Sequence, residues 1–495
     1  MKLVYDVKDR PKFGQLIVFA IQQLLAIMAA TLVVPVITNA STGSNMSPAA
    51  ALFGAGAGTL VYVLFTKAKS PVFLGSSFAF LGSMAAAFAG GVSMALGYLG
   101  LIIGAVFAGL VYVVIAIIVK IVGVKWVNRL MPAVVIGPTV SIIGLSLAGN
   151  AVSDLVKGGA AKDVLTYVVS DSSVPEMAEK VVSVPLADPL IAVFCGIVTL
   201  AVTILCSVYG KRMLKLIPFI MGILAGYAVA AVLTVIGNAL DYDALKVINF
   251  SVFESLLADG SVTLSTFLQV PDFTFLSAFG AFGELSGSYI ASIAIAYIPV
   301  AFVVFAEHIA DHKNISSIIE RDLLEDPGLS RTLLGDGVGS MVGGFFGGCP
   351  NTTYGESVGC VAITGNASVL TIIATAIGAI VISFLSPFVA FVNSIPSCVM
   401  GGVCVALYGF IAVSGLKMIQ TVDLGDNRNL FVVSTILVLG IGGLSLTFGK
   451  ITITSIATAL ILGILANIMC ARSRKSDTEA DKEAGASENP ETEAK

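Results

Sequence analysis

Apolar runs separated by short polar breaks dominate this chain from one end almost to the other. A membrane-spanning helix needs about 20 predominantly apolar residues. On that ruler fourteen stretches are expected to be spans, near 14–38, 48–66, 72–89, 93–119, 131–149, 188–208, 215–237, 286–310, 332–348, 351–365, 367–391, 396–416, 428–447 and 452–471. The first is too long for the apolar core of a signal peptide, about 7–15 residues, and is retained as a span. Two of the fourteen are short and interrupted: PVFLGSSFAFLGS (71–83) and PNTTYGESVG (350–359). Counted as seven plus seven, each is the third member of its half. Such a pair at matching positions points to inverted repeats with a binding site near the midplane. Irregular backbone at that depth leaves polar groups that are tolerated only inside protein or along a cavity. Taken singly, Gly75, Ser76 and Ser77 could be ordinary small packing residues; the matched positions favour a site. The stretch GDGVGSMVGGFFGG (335–348) carries too many glycines for a site and predicts close helix packing.

Composition sharpens this to an all-α polytopic membrane protein. The chain is 57% hydrophobic and 12% charged, against about 25% charged in soluble domains. No basic cluster with interleaved aromatics suggests nucleic acid. The cysteines lack metal-ligand spacing, so no metal, cofactor or disulfide framework is expected. With the N-terminus placed in the cytoplasm, 22 of the 27 Lys and Arg fall on the inner side, which fits an even number of spans with both termini cytoplasmic. The stretches 150–187 and 238–285 then lie outside and receive no assigned function. The tail 472–495 starts basic, turns acidic and lacks core-forming residues, so it is expected to be disordered.

Chemistry concentrates in FAEHIADHK (305–313), which holds both histidines of the chain. Carboxylates are rare within the spans: Glu307 and Asp311 in the eighth and Glu356 in the tenth, with Asp336 expected at the interface near the mouth of the ninth. An ionisable group inside a membrane is costly and is a functional candidate by default. Hydropathy alone ends the eighth span near Ala306. A helix continuing to about Ile315, with Lys313 snorkelling, would instead bury Glu307. Glu307 and Asp311 share one helix face, as do His308 and His312. A buried carboxyl can hold a proton and release it when its surroundings change, and it can accept hydrogen bonds from N–H groups. The histidines have an alternative role as dipole-stabilising groups near a helix C-terminus. No further ligands suggest a metal.

GSSFAF (75–80), AEHIADH (306–312), GDGVGS (335–340) and NTTYGESVGCVAITG (351–365) together resemble the nucleobase–cation symporter-2 family, also called nucleobase–ascorbate transporters. The resemblance runs from QQLLAIMAATLVVPV (22–36) to the last span. It implies fourteen segments in two inverted seven-segment repeats. A core domain would take 14–119 and 286–391. A gate domain would take 120–237, with the outer loop 150–187, and 392–471. Residues 1–13 would be a cytoplasmic N-terminus, 238–285 an extracellular loop and 472–495 a cytoplasmic tail. It further implies a proton-coupled, elevator-type symporter in the bacterial plasma membrane, often a homodimer, importing a nucleobase. By motif, Glu307 and Glu356 would bind the N–H and carbonyl edge of the base. The backbone N–H groups of Phe78 and Gly355 would complete the site, Tyr354 and Ala30 would line it, and Asp311 and Thr364 would support it, with His308 beside them. Glu at 356, where purine members commonly have Gln, implies uracil; xanthine or another purine is the alternative.

The sequence departs from the family pattern at Ser357, where Asn is usual, at Gln23, where some members have His, and at Asp311, where some have His. Gln23 cannot titrate, so a histidine relay there is in doubt. An anion transporter on the same fold is a further alternative, disfavoured by the paired carboxylates. An enzyme is not expected, because no nucleophile–base pair or metal motif is present.

Overall fold

A computed structural model of the chain describes residues 3–123, 126, 131–170, 176–211, 213–254, 256–257, 261–448 and 451–470. The tail 472–495, expected to be disordered, lies outside the described residues. The first half comprises α1 (Phe13–Thr42), α2 (Pro48–Phe65), strand β1 (Leu74–Ser76), α3 (Leu81–Ala87), α4 (Met94–Val122), α5 (Ala133–Ser146), strands β2 (Ala161–Ser170) and β3 (Glu176–Pro185), α6 (Pro189–Tyr209) and α7 (Pro218–Ala239). The second comprises α8 (Gly287–Ile319), α9 (Leu329–Gly347), β4 (Asn351–Thr353), α10 (Gly355–Thr364), α11 (Val369–Ser383), α12 (Ser397–Ile419), α13 (Asn427–Ile441), strands β5 (Leu446–Phe448) and β6 (Ile451–Ile453), and α14 (Ser455–Cys470). These are the fourteen expected segments.

Local sequence sets the helix starts. Pro48 and Pro189 open α2 and α6 behind the capping side chains of Ser47 and Asp188, since a proline at the first helical position gives up no needed N–H. Ser93 and Ser286 cap α4 and α8 in the same way. Several spans depart from the expected lengths. Among the described residues, eight helices are both long and apolar enough to cross a membrane. α11 ends at Ser383, and a separate helix, Ser386–Ser394, follows where one continuous span was expected. α13 stops at Ile441, before Gly442 and the left-handed Gly443. α8 is longer than expected at 33 residues, so Glu307 lies well within it and Lys313 is exposed. In the stretch 150–187, which the sequence left without structure, β2 and β3 form an antiparallel hairpin.

The packing repeats itself between the halves. α2 packs on α9, and β1 pairs with β4. α4 packs on α8 and α9, as α11 packs on α1 and α2. α6 packs on α12, as α13 packs on α5. Exchanging each segment for the one seven places away maps this set of contacts onto itself, which is the inverted-repeat relation.

Two features hold the site's scaffold. The α2–α9 interface is made by glycines in contact: a Cβ on Gly58 would lie 2.7 Å from the Gly339 carbonyl and 2.4 Å from Asn351 Nδ2, and one on Gly54 would lie 2.9 Å from the Gly343 carbonyl. At the end of the bundle where α1 begins, the N-terminal segment is strapped to the α10–α11 turn. Val4 N–H donates to the Gly365 carbonyl (2.8 Å), and Ala367 N–H donates to the Tyr5 carbonyl (2.9 Å). Arg321, just past α8, donates to Asp6. The strap therefore ties together the C-terminal ends of the two helices that carry Glu307 and Glu356.

Gly58→Val is expected to wedge α2 from α9 at a cost of at least about 1–3 kcal/mol, the usual range for overpacking. Thermal unfolding in detergent, followed by dye labelling of the largely buried free cysteines, should show a lowered transition. An unchanged transition would mean that these helices need no close approach.

Candidate functional site

The two interrupted segments meet in the interior. β1 and β4 run antiparallel, with Leu74 opposite Thr353, Gly75 opposite Thr352 and Ser76 opposite Asn351. The pairing continues on both sides: Ser77 N–H donates to the Pro350 carbonyl (2.9 Å), and Tyr354 N–H to the Phe73 carbonyl (3.2 Å). Backbone that would otherwise be unpaired at membrane depth is thus satisfied by the other repeat. Beyond the crossing each chain turns helical. Phe78 starts the turn that leads into α3, and Gly355 starts α10. The first N–H groups of a helix have no intrahelical acceptor, so both starts present donors at the crossing.

Side chains lock the crossing. Tyr354 donates its hydroxyl to the Ser76 carbonyl (2.7 Å), and its ring occupies the space that a Cβ on Gly75 would need, 2.3 Å away. Ser357 Oγ accepts from Gln23 Nε2 (2.6 Å) and from Phe73 N–H (3.0 Å), joining α1, the approach to β1 and α10. Two positions where the sequence departs from the family pattern are therefore hydrogen-bonded to each other.

A cavity of about 360 Å³ lies against this crossing, within the usual range for small-molecule sites, about 300–1,000 Å³. Glu307, Asp311, Gly355 and Glu356 line one side; Val140 of α5 and Phe410 of α12 line the other. Ser207, Lys215, Asn314 and Met418 also line it, so it opens at the end of the bundle where α1 begins. A recess of about 30 Å³ adjoins it, bounded by Phe78, Thr352, Tyr354 and both glutamates. Phe78 meets Tyr408 of α12 edge-on, with ring centroids 5.7 Å apart.

The remaining candidates divide. Asp311 is buried and accepts from the Thr353 hydroxyl (2.9 Å), which fixes α8 to β4. His308 and His312 turn away from the cavity, toward α2 and α9. His308 Nδ1 lies 2.6 Å from Asp336 Oδ2, and its Nε2 lies 3.0 Å from Thr332 Oγ1. His312 stacks on His308 at 4.0 Å between ring centroids. Its Nδ1 lies 2.8 Å from the His308 carbonyl, and its Nε2 lies 2.7 Å from the Tyr62 hydroxyl. Asp336, expected near the mouth of the ninth span, is 1% exposed, because the glycines of α9 let the helix pack closely against α2 and α4. Ala30 is buried within α1, and the Thr364 hydroxyl bonds back to the Cys360 carbonyl at the far end of α10; neither lines the cavity or its recess. Sequence reasoning missed Thr352 and Thr353, one on each side of a three-residue strand, and the apolar wall from α5 and α12, whose residues carry no chemical signal.

Fourteen segments in inverted repeats around a cavity at paired broken segments define a multi-pass membrane transport protein. A family model described as a permease family matches residues 14–448, and the chain belongs to that family, as its motifs implied. It is 38% identical over 472 residues to the uracil permease of Bacillus caldolyticus, covering 94% of this chain and 95% of that one. It is 32% identical over 460 residues to the uracil permease of Escherichia coli (strain K12), covering 92% of each. The transmembrane domain of a cyanobacterium bicarbonate transporter, BicA, superposes with a TM-score of 0.57 at 12% identity, covering 94% of this chain and 100% of that one. The murine Solute Carrier 26 family member A9 anion transporter, in the inward-facing state, superposes with a TM-score of 0.59 at 10% identity, covering 94% and 69%. At such identities these two likenesses show the fold alone.

Ser357→Ala would leave Gln23 Nε2 and Phe73 N–H without an acceptor, at about 1–3 kcal/mol for each buried group. A lowered unfolding temperature is expected, with recovery in Ser357→Thr. An unshifted melt for Ser357→Ala would mean that the Ser357 junction does not hold the crossing.

Proposed function

We propose that this protein is a proton-coupled symporter that imports uracil across the bacterial plasma membrane. One observation carries the reading: Glu307 and Glu356, on two different helices of the second repeat's core-forming run, face a single cavity at the crossing of the broken segments. A pyrimidine ring presents N–H donors and carbonyl acceptors along one edge. Carboxylates accept from the N–H groups, and the free N–H groups of Phe78 and Gly355 donate to the carbonyls. Tyr354 sets the position of β1, and Asp311 holds α8 against β4. The His308–Asp336 pair fixes which face of α8 meets the cavity, so it supports Glu307 from behind. Relatives named uracil permeases, matched over nearly their whole length, favour uracil over a purine. The bicarbonate and anion carriers share only the fold, and two carboxylates in the cavity disfavour an anionic substrate.

Glu307 is the group assigned to the proton. Placed between the cavity and the packed interior, it binds the base and a proton together, so a proton gradient drives uptake. Movement follows from how the helices pack. α1–α4 and α8–α11 bundle around the β1–β4 crossing, while α5–α7 pack with α12 and α13. The first group is the core that carries the base; the second, with α14, is the gate. The core slides against the gate in an elevator-type exchange. The excess of Lys and Arg on the N-terminal side supports a cytoplasmic cavity mouth, which makes this state inward-open, with both termini inside. The exposed apolar faces of gate helices α6 and α7 suit contact with lipid or a second copy.

In proteoliposomes, labelled uracil should accumulate under an acid-outside gradient and lose accumulation when an ionophore collapses it. Excess unlabelled uracil should compete, and xanthine should not. Glu307→Gln and Glu356→Gln should each weaken uracil binding about 10- to 100-fold, as expected for loss of a charge-assisted hydrogen bond. Accumulation that survives the ionophore and follows sodium would contradict proton coupling. Full affinity in either variant would contradict the site.

A further inference from the structure

Of the crossing's buried hydroxyls without a hydrogen-bond partner, at Ser76, Ser77 and Thr352, only that of Thr352 belongs to a residue lining the recess. Thr352 sits at the centre of β4, opposite Gly75, and is 2% exposed. Its neighbour Thr353 has one, donating to Asp311 (2.9 Å). A buried hydroxyl without a partner costs stability, and native structures retain few such groups. The hydroxyl borders the small recess that adjoins the cavity, and the same recess is bounded by Glu307 and Glu356. Its volume, about 30 Å³, is enough for one water-sized group. It therefore combines two side chains that accept from N–H groups with one hydroxyl free to donate.

We infer that Thr352 is a specificity-determining contact: its O–H donates to an exocyclic carbonyl oxygen of the bound base inside the recess, while the two glutamates take flanking N–H groups. This rests on the base-binding reading above and adds to it the residue that reads the carbonyl. A carbonyl oxygen has two lone pairs, so the Phe78 N–H and the Thr352 hydroxyl can share one. In the empty site a water fits the same place and is displaced by that oxygen. The recess then selects for oxygen at this position. Sulfur there is larger and is a weak acceptor.

The test is equilibrium binding of uracil, 2-thiouracil and 4-thiouracil to the purified full chain, comparing wild type with Thr352→Val, Thr352→Ala and Thr352→Ser. Valine nearly matches the shape of threonine and removes only an unpartnered hydroxyl, so its melting temperature should hold; alanine supplies a second variant without the hydroxyl. Both should bind uracil about 2- to 10-fold more weakly, the range for one neutral hydrogen bond. For one of the two thio-analogues, the preference for uracil should collapse toward unity in Thr352→Val and Thr352→Ala and return in Thr352→Ser. Equal weakening for all three ligands, or unchanged uracil affinity, would overturn the assignment. Binding by the wild type itself tests the reading beneath: if it takes xanthine instead of uracil, the same ratio is read with thioxanthines, and if it takes neither, both readings fall.

Discussion

Backbone polar groups inside a bilayer must find partners within the protein, and the crossing of β1 and β4 is where this chain meets that demand with something other than a helix. Each strand is only three residues long. Alone, either would leave its amides and carbonyls unpaired in the interior. Together they satisfy one another, and in doing so they bring the starts of two half-helices, one from each repeat, to the same place. The proposed site depends on that junction: the donors at Phe78 and Gly355, the position of Glu356 one residue beyond, and the cavity beside them.

The surrounding packing serves the junction. α2 and α9 approach closely enough for glycine backbones to touch, which leaves room between them for Asn351. The Asn351 side-chain amide donates to the Gly54 carbonyl (3.1 Å), and the Asn351 backbone carbonyl accepts from the Ser340 hydroxyl. α8 is divided by faces: Glu307 and Asp311 look toward the cavity and β4, while His308 and His312 are buried against α2 and α9. The histidine face is fully paired through Asp336, Thr332 and Tyr62, which sets the rotation of the helix and hence the direction of Glu307. Where α1 begins, the N-terminal strap joins the ends of α8 and α10, so the two carboxylate-bearing helices are tied at both the crossing and the surface.

Much of this was legible in the sequence because the bilayer imposes simple rules. Length and apolarity gave the spans, glycine and proline at 71–83 and 350–359 marked the interruptions, and scarcity singled out Glu307, Asp311 and Glu356. What was not legible has physical reasons. Asp336 sits in a glycine-rich run of modest hydropathy, so its burial comes from close packing that no window measures. The direction of His308 and His312 follows from which neighbours α8 meets, not from their spacing. Thr352 and Thr353 differ only in strand face, and a three-residue strand has no period to read. The α5 and α12 wall is apolar like the rest of the chain, and the β2–β3 hairpin lies in a segment without the hydrophobic signal that marked the spans.

The most direct measurement is an experimental structure of the protein with uracil bound. The ring is expected between Glu307 and Glu356, at the start of α10 and beside Phe78, with one carbonyl directed into the recess at Thr352. A ring held elsewhere in the cavity, away from the β1–β4 crossing and in contact with neither glutamate, would contradict the proposed site.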